Sequence, residues 1–219
     1  MPKMALLIID MLNDFFRQHA HLAEQRARLV ASINALAGAF RHHGQPVFWV
    51  RQEFAPDLHD AFLEMRKHNL HVTIAGTDGC ELLPELDYRP TDKIIVKKRY
   101  SAFFGTDLEA MLQRISPDLL VVAGINTHAC VRTTVIDAYQ RDYEVVVAEE
   151  CIASNDEAHH EMTRRYLDGG IARLLPNREI IKMLEREGFT DQADGARPRS
   201  ALSRAFETVS GRDEMKKED

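Results

Sequence analysis

Six short apolar runs decide what this chain is able to fold into. They are ALLIID (5–10), PVFWV (46–50), KIIVKK (93–98), LLVVAG (119–124), EVVVAE (144–149) and IARLL (171–175). They are rich in Val, Ile and Leu and lack the apolar–polar alternation of a strand with one wet face. They therefore read as strands buried on both sides, as in a parallel sheet. Residues 22–43, 106–114, 128–141, 156–168 and 177–187 have helical spacing instead, as in Leu108, Met111 and Leu112 at i, i+3 and i+4. Strand–helix alternation of this kind implies right-handed βαβ units. The expected fold class is α/β: a doubly wound, mainly parallel six-stranded sheet with helices on both faces. Such sheets bind ligands beyond the carboxyl ends of their strands.

Two stretches depart from this rhythm. Residues 51–92 are too long for a plain crossover, and they contain AGTDGCELLPEL with its Gly and Pro punctuation. Long excursions in a compact domain are often lids or pocket walls. From Thr190 the chain turns polar and charged, through GARPRS to a closing DEMKKED. The expected organisation is one domain over 1–189. A charged tail over 190–219 would be disordered or pack on a neighbouring subunit, with ALSRAFETV as a candidate short helix.

The net charge of −6 leaves no basic excess to neutralise phosphates, which argues against a nucleic-acid partner. No apolar run reaches the roughly 18 residues that a membrane span needs. MALLIID ends too soon, and too acidically, to read as a signal peptide. Cys80, Cys130 and Cys151 are widely spaced and form no CxxC pair, so neither a disulfide framework nor a structural zinc site is expected. A reducing, cytoplasmic setting fits, and there a thiol stays free to react.

Three chemistry-bearing residues fall on one edge of the expected sheet. Asp10 closes the first strand, Lys97 the third, and Cys130 follows the fourth in GINTHACVRTT. Each has an ordinary reading alone: Asp10 as a turn cap, Lys97 as a surface lysine, Cys130 as small buried packing. Together they form a chemical set. The thiolate is the nucleophilic form of cysteine, and a helix N-terminus and a nearby ammonium both favour it. A carboxylate is able to take the thiol proton and return it to a leaving amine. Acyl transfer also needs donors for the developing oxyanion, and the turn before Cys130 offers the backbone N–H groups of Asn126 and Cys130.

The blocks LLIIDMLNDFF, IIVKKRYSAFFGTDLEAML and LLVVAGINTHACVRTTVIDAYQRDYEVVV, in that order, resemble the signature blocks of the isochorismatase-like cysteine hydrolases. The resemblance covers roughly residues 4–185. It implies a doubly wound α/β fold and an Asp–Lys–Cys triad at Asp10, Lys97 and Cys130. Lys97 is chosen over Lys98 because it stands three residues before the Tyr of RYSAF. A cis peptide is implied at Ile125–Asn126.

Within that family, a thiol at position 130 favours amide or ureide hydrolysis, because the vinyl-ether-cleaving isochorismatases carry glycine there. The metal-free amidohydrolases, near the N-carbamoylsarcosine and ureidoacrylate enzymes, are therefore the expected branch, with no cofactor. Nicotinamidases place an Asp-x-His metal pair directly after the second strand, where this chain reads Gln52-Glu53-Phe54. Asp57, His59 and His71 are the alternative ligands if a metal binds after all. A metal-assisted nicotinamidase, vinyl-ether hydrolysis and a non-catalytic scaffold stay open as alternatives. Arg51 is a candidate for a substrate carboxylate, or equally for a structural ion pair. Phe15, Tyr100 and Phe104 are candidate pocket walls, and Thr127 and His128 candidate contacts on the nucleophile turn. Cys80 and Cys151 read as structural. The expected partner is a small amide or ureide, and the resemblance implies a homo-oligomer.

Overall fold

The computed structural model describes residues 3–185. The expected tail over 190–219, its candidate helix, and the end of the 177–187 helix lie outside the described residues. The six apolar runs form β1 (Met4–Ile9), β2 (Val47–Gln52), β3 (Lys93–Lys97), β4 (Leu119–Gly124), β5 (Val145–Ile152) and β6 (Arg173–Leu175). Every ladder between them is parallel. The spatial order is β3-β2-β1-β4-β5-β6.

Helices fill the connections: α1 (Asn13–Gln18), α2 (Ala20–His42), α3 (Leu63–His68), α4 (Leu108–Ile115), α5 (Arg132–Tyr139), α6 (Glu157–Leu167) and α7 (Asn177–Glu185). Helix α1 is absent from the sequence reading. Its six residues are too few to show a helical period. The segment expected as one helix over 128–141 divides into a π-helical turn, Thr127–Val131, and α5.

Alternation along each strand sorts its side chains into two cores. Met4, Leu6 and Ile8 of β1 pack with Leu29, Ile33 and Phe40 of α2 and Ile180 of α7. Ala5, Leu7 and Ile9 point the other way, toward Leu108 of α4, Val135 of α5 and Leu167 of α6. The excursion after β2 keeps a small core of its own, built from Phe54, Leu58, Ala61 and Ile74.

The strand order reverses between β1 and β4, where a doubly wound sheet opens a crevice for its ligand. Gly124 makes the reversal possible. It sits at φ +107°, and a Cβ there would lie 2.0 Å from the backbone oxygen of Ile9. No side chain fits so close to a neighbouring strand, and glycine alone adopts that φ without strain. Ile125 N–H then donates to the same Ile9 carbonyl at 2.9 Å, which fastens the turn to the end of β1.

Candidate active site

Asp10 is the residue after β1, held at φ +54° and almost fully buried. Its backbone N–H continues the ladder by donating to Val50 O at 2.8 Å. The side chain does not cap its own turn. Oδ1 accepts the Gln52 N–H of the adjacent strand at 2.9 Å, and Oδ2 meets Lys97 Nζ at 2.7 Å.

Lys97 is fully buried at the end of the edge strand. An ammonium has three protons to place, and Lys97 has three partners for them. These are Asp10 Oδ2 at 2.7 Å, the Arg99 carbonyl at 3.1 Å and Cys130 Sγ at 3.4 Å. Burial by itself lowers an ammonium pKa, but Asp10 and Cys130 together outweigh it and hold Lys97 above the ordinary lysine value. The lysine is therefore a fixed positive charge between a carboxylate and a thiol.

Cys130 lies in the π-helical turn, buried against the α4–α5 core, with Ile9 and Val131 in the same cluster. The expectation that a helix start and an ammonium would favour its thiolate is corrected here. Burial, reinforced by the charge on Asp10, pushes the thiol well above its ordinary pKa, and Lys97 only partly offsets this. That direction favours the neutral thiol as the resting form. Nucleophilicity at neutral pH thus requires a base in place to take the proton. Asp10 is the carboxylate beside it, and its Oδ2 has no neutral hydrogen-bond donor besides the ion pair with Lys97.

The turn that carries Cys130 is tightly specified. Ile125–Asn126 is a cis peptide. The Asn126 carbonyl accepts from Ala129 N at 3.0 Å and Val131 N at 3.2 Å, and its Oδ1 accepts Asn155 N–H at 2.9 Å. Among the described residues, the Asn126 N–H has no carbonyl partner.

The expected substrate contacts fare unevenly. Arg51 leaves β2 on the side of Trp49, opposite the side that carries Val50 and Cys130. Its guanidinium is paired with Glu53 at 2.6 Å and Glu81 at 2.8 Å. Of its two expected uses, the ion pair is the one present. Phe15 is partly buried against the α2–α7 core. Thr127 is fully buried with its hydroxyl committed to Ala153 O and His160, so it presents nothing to a substrate. His128 is half-buried and bonded through Nδ1 to Ser154 Oγ. Burial, then neighbouring His159, lowers its pKa. Tyr100 and Phe104 are exposed, and the Tyr100 ring lies 4.8 Å from Phe62 of the excursion.

Lys98 and Arg99, just beyond β3, fasten the excursion. Lys98 pairs with Asp60 at 2.9 Å, while Arg99 donates to Asp60 O at 2.8 Å and lies over the Phe62 ring.

The alternative metal ligands do not come together. Asp57 and His59 pair with each other at 2.6 Å on an exposed loop, and His71 turns to Asn69 at 3.2 Å. Among the described residues, the one trio with ligand atoms close enough to share an ion is Glu157, His160 and Glu161 on α6. Cys80 and Cys151 are buried free thiols with raised pKa values, as structural cysteines should be.

Sequence reasoning missed Gln52 as a site residue. It is paired in register with Lys97, so the two side chains share a face of the sheet, and it is largely buried. The signal was its place one residue beyond Arg51, which puts it on the triad side by strand parity alone.

Known proteins match this arrangement. The Isochorismatase domain family model covers residues 4–176. The chain belongs to the isochorismatase family. Among curated relatives, a probable inactive nicotinamidase of Arabidopsis thaliana is 36% identical over 164 residues, spanning 71% of this chain and 83% of that protein. Among solved structures, an isochorismatase family protein from Desulfovibrio vulgaris superposes with a TM-score of 0.75 at 27% identity, covering 85% of this chain and 100% of that one. N-carbamoylsarcosine amidase from Thermoplasma acidophilum superposes with a TM-score of 0.67 at 28% identity, covering 80% and 96%. In this isochorismatase-family hydrolase, Asp10, Lys97 and Cys130 meet at the carboxyl end of the sheet, the region where the fold takes its ligands.

Proposed function

We propose that this protein is a cysteine hydrolase that cleaves the C–N bond of a small amide, N-carbamoyl or ureido substrate. The observation that carries this reading is the placement of one buried ammonium, Lys97 Nζ, 2.7 Å from Asp10 Oδ2 and 3.4 Å from Cys130 Sγ. In the reading, Asp10 takes the Cys130 proton as the sulfur attacks the substrate carbonyl. Lys97 keeps the site's charge balanced while the thiolate forms. The carbonyl oxygen gathers negative charge and is met by the backbone N–H groups of Asn126 and Cys130. Asp10 then returns the proton to the leaving nitrogen, which departs as an amine or ammonia and leaves a thioester on Cys130. Asp10 next accepts a proton from water as that water attacks the thioester. Collapse releases the carboxylic acid and restores the thiol.

Gln52 supports the same reading, because its register with Lys97 puts a side-chain amide on the triad's face of the sheet. Gln52-Glu53-Phe54 lacks the Asp-x-His pair that the metal-assisted alternative would need after β2, and no step here uses a metal. The N-carbamoylsarcosine amidase among the structural neighbours supports the substrate class. By the same resemblance we propose that the chain assembles as a homo-oligomer.

The test is a panel of small amides, carbamoyl compounds and ureides, nicotinamide included, with ammonia release as the readout. Turnover of at least one compound is expected, with both Cys130→Ala and Cys130→Ser losing it. Full turnover in both variants would exclude the thioester route. Nicotinamide turnover that chelators abolish would replace this reading with a metal-assisted one.

A further inference from the structure

We propose that His160 of α6 is a positioning residue that holds the oxyanion-binding backbone in place through Thr127. The proposal rests on the cysteine-hydrolase reading above for its consequence, and on hydrogen-bond geometry for its existence.

The geometry allows one assignment of protons. Thr127 Oγ1 donates to Ala153 O at 2.9 Å. A hydroxyl has a single proton, so its contact with His160 Nδ1 at 2.9 Å must be one in which the threonine oxygen accepts. His160 therefore carries its proton on Nδ1, which fixes the tautomer. The Thr127 backbone N–H donates to the same Ala153 carbonyl at 2.9 Å. Both lone pairs of that carbonyl are then used, and the hydroxyl both gives and receives. The result is a closed chain from α6, through the side chain of Thr127, to the residue after β5.

Thr127 is fully buried and directly follows Asn126, whose N–H is the proposed oxyanion donor. Any rotation of Thr127 turns that donor. His160 makes no hydrogen bond or ion pair with Asp10, Lys97 or Cys130, so its effect on chemistry has to pass through Thr127. Burial depresses the imidazole pKa, opposed in part by Glu157 and Glu161 and aided by Arg164 and Arg28. Protonation would leave the Nδ1–H donor in place. A neighbouring histidine does not duplicate the role, because His128 is turned to Ser154 instead.

A positioning role differs from plain packing in what it moves. Preorganised donors act on the transition state, so misplacement lowers kcat with little change in KM. The experiment compares the full chain with His160→Leu, His160→Asn, Thr127→Val and the double variant His160→Leu/Thr127→Val. It reads kcat and KM on an amide that the wild type hydrolyses, the melting temperature, and hydrogen exchange of the Thr127 amide.

His160→Leu is expected to lower kcat by about ten- to a hundredfold, the cost of small misplacement, with KM within about threefold. His160→Asn, whose side-chain NH₂ can stand where Nδ1–H stood, is expected to recover most of the loss. Thr127→Val, which breaks the bonds to both His160 and Ala153, should lose at least as much as His160→Leu, and the double variant should be no worse than Thr127→Val, because both remove the same His160–Thr127 link. If His160→Leu fails to fold, Thr127→Val and His160→Asn still carry the comparison.

Unchanged kcat in His160→Leu would overturn the proposal. So would losses that multiply in the double variant, or an asparagine that rescues nothing. If the wild type hydrolyses none of the panel, the cysteine-hydrolase reading falls by itself. Exchange then decides the positioning role: faster exchange at Thr127 in His160→Leu but not in His160→Asn upholds it, and equal protection in all variants removes it.

Discussion

Lys97 and Asp10 come within 2.7 Å of each other although β2 stands between their strands. Neighbouring parallel strands lie about 4.8 Å apart, so β1 and β3 are nearly 10 Å apart. Only a long side chain leaving the end of β3 closes that gap, and lysine supplies a point charge on a four-carbon stem. Arginine would bring a planar fork where the site has three partners in three directions. The Gln52 N–H fixes the other carboxylate oxygen, so the acid is held from both sides.

The neutral resting thiol has a counterintuitive consequence. Asp10 is one of the two main causes that raise the Cys130 pKa, and Lys97 opposes them. Asp10→Asn removes the repulsion and leaves the ammonium. Alkylation of Cys130 by iodoacetamide near pH 8 should then speed up by about tenfold or more. Amide turnover should fall by about a hundredfold or more, because the base is gone. Slower alkylation in the variant would mean that the carboxylate does not raise the thiol in the resting enzyme.

Removing the lysine should expose how much of the fold depends on it. Lys97→Met leaves the Asp10 carboxylate buried without its counter-charge. Breaking one side of a buried pair costs about 3–5 kcal/mol, which urea unfolding would read as a lower midpoint at unchanged slope. The double variant Lys97→Met/Asp10→Asn should recover part of that loss, since no charge is left buried. A double variant less stable than Lys97→Met would contradict the pairing argument.

Stability should also fall at high pH, and the sign follows from two groups. Cys130 and Lys97 both hold their protons more tightly folded than unfolded. At alkaline pH the unfolded chain therefore loses protons first, and unfolding gains. The contribution of Cys130 is fully present below about 8.5, the ordinary cysteine value, and is gone once pH passes the raised folded value. The melting temperature should decline from about pH 9 upward, and Cys130→Ala should flatten the early part of that decline. Equal slopes in wild type and variant between pH 9 and 10 would show that this thiol does not titrate differently on folding.

What the sequence made legible, and what it hid, follows from the range of each interaction. The six strands were readable because burial on both faces leaves an uninterrupted apolar run, a purely local signal. Asp10, Lys97 and Cys130 were readable because each stands where such a run ends, and a parallel sheet brings those ends to one edge. The resemblance of the surrounding blocks then singled out Lys97 over Lys98. The thiol's protonation state was not readable. It depends on the walls around Cys130, which come from β1, β3 and α5. The Thr127–His160 bond spans 33 residues and leaves no trace in either neighbourhood. Strand ends also hid a parity choice. By its charge Arg51 was equally a candidate for a substrate carboxylate and for an ion pair, yet a shift of one residue along a strand changes the face, and Gln52 holds the side of the triad.

That parity gives the sharpest test of specificity. If Arg51 serves the fold, through Glu53 at 2.6 Å and Glu81 at 2.8 Å, Arg51→Met should leave KM for a carboxylate-bearing ureide within about threefold of wild type. Its cost should appear as stability instead, because two carboxylates lose a shared cation, one of them mostly shielded from solvent. Gln52→Ala should behave in the opposite way. Its backbone N–H still donates to Asp10, so the base keeps its orientation, while the face beside Lys97 loses an amide. Substrate affinity or turnover should drop with little change in melting temperature. Steady-state kinetics on the two variants, run beside thermal unfolding, separate the cases. A rise in KM above about thirtyfold for Arg51→Met, with Gln52→Ala unaffected, would return the substrate carboxylate to Arg51 and show that the ion pairs open when substrate binds.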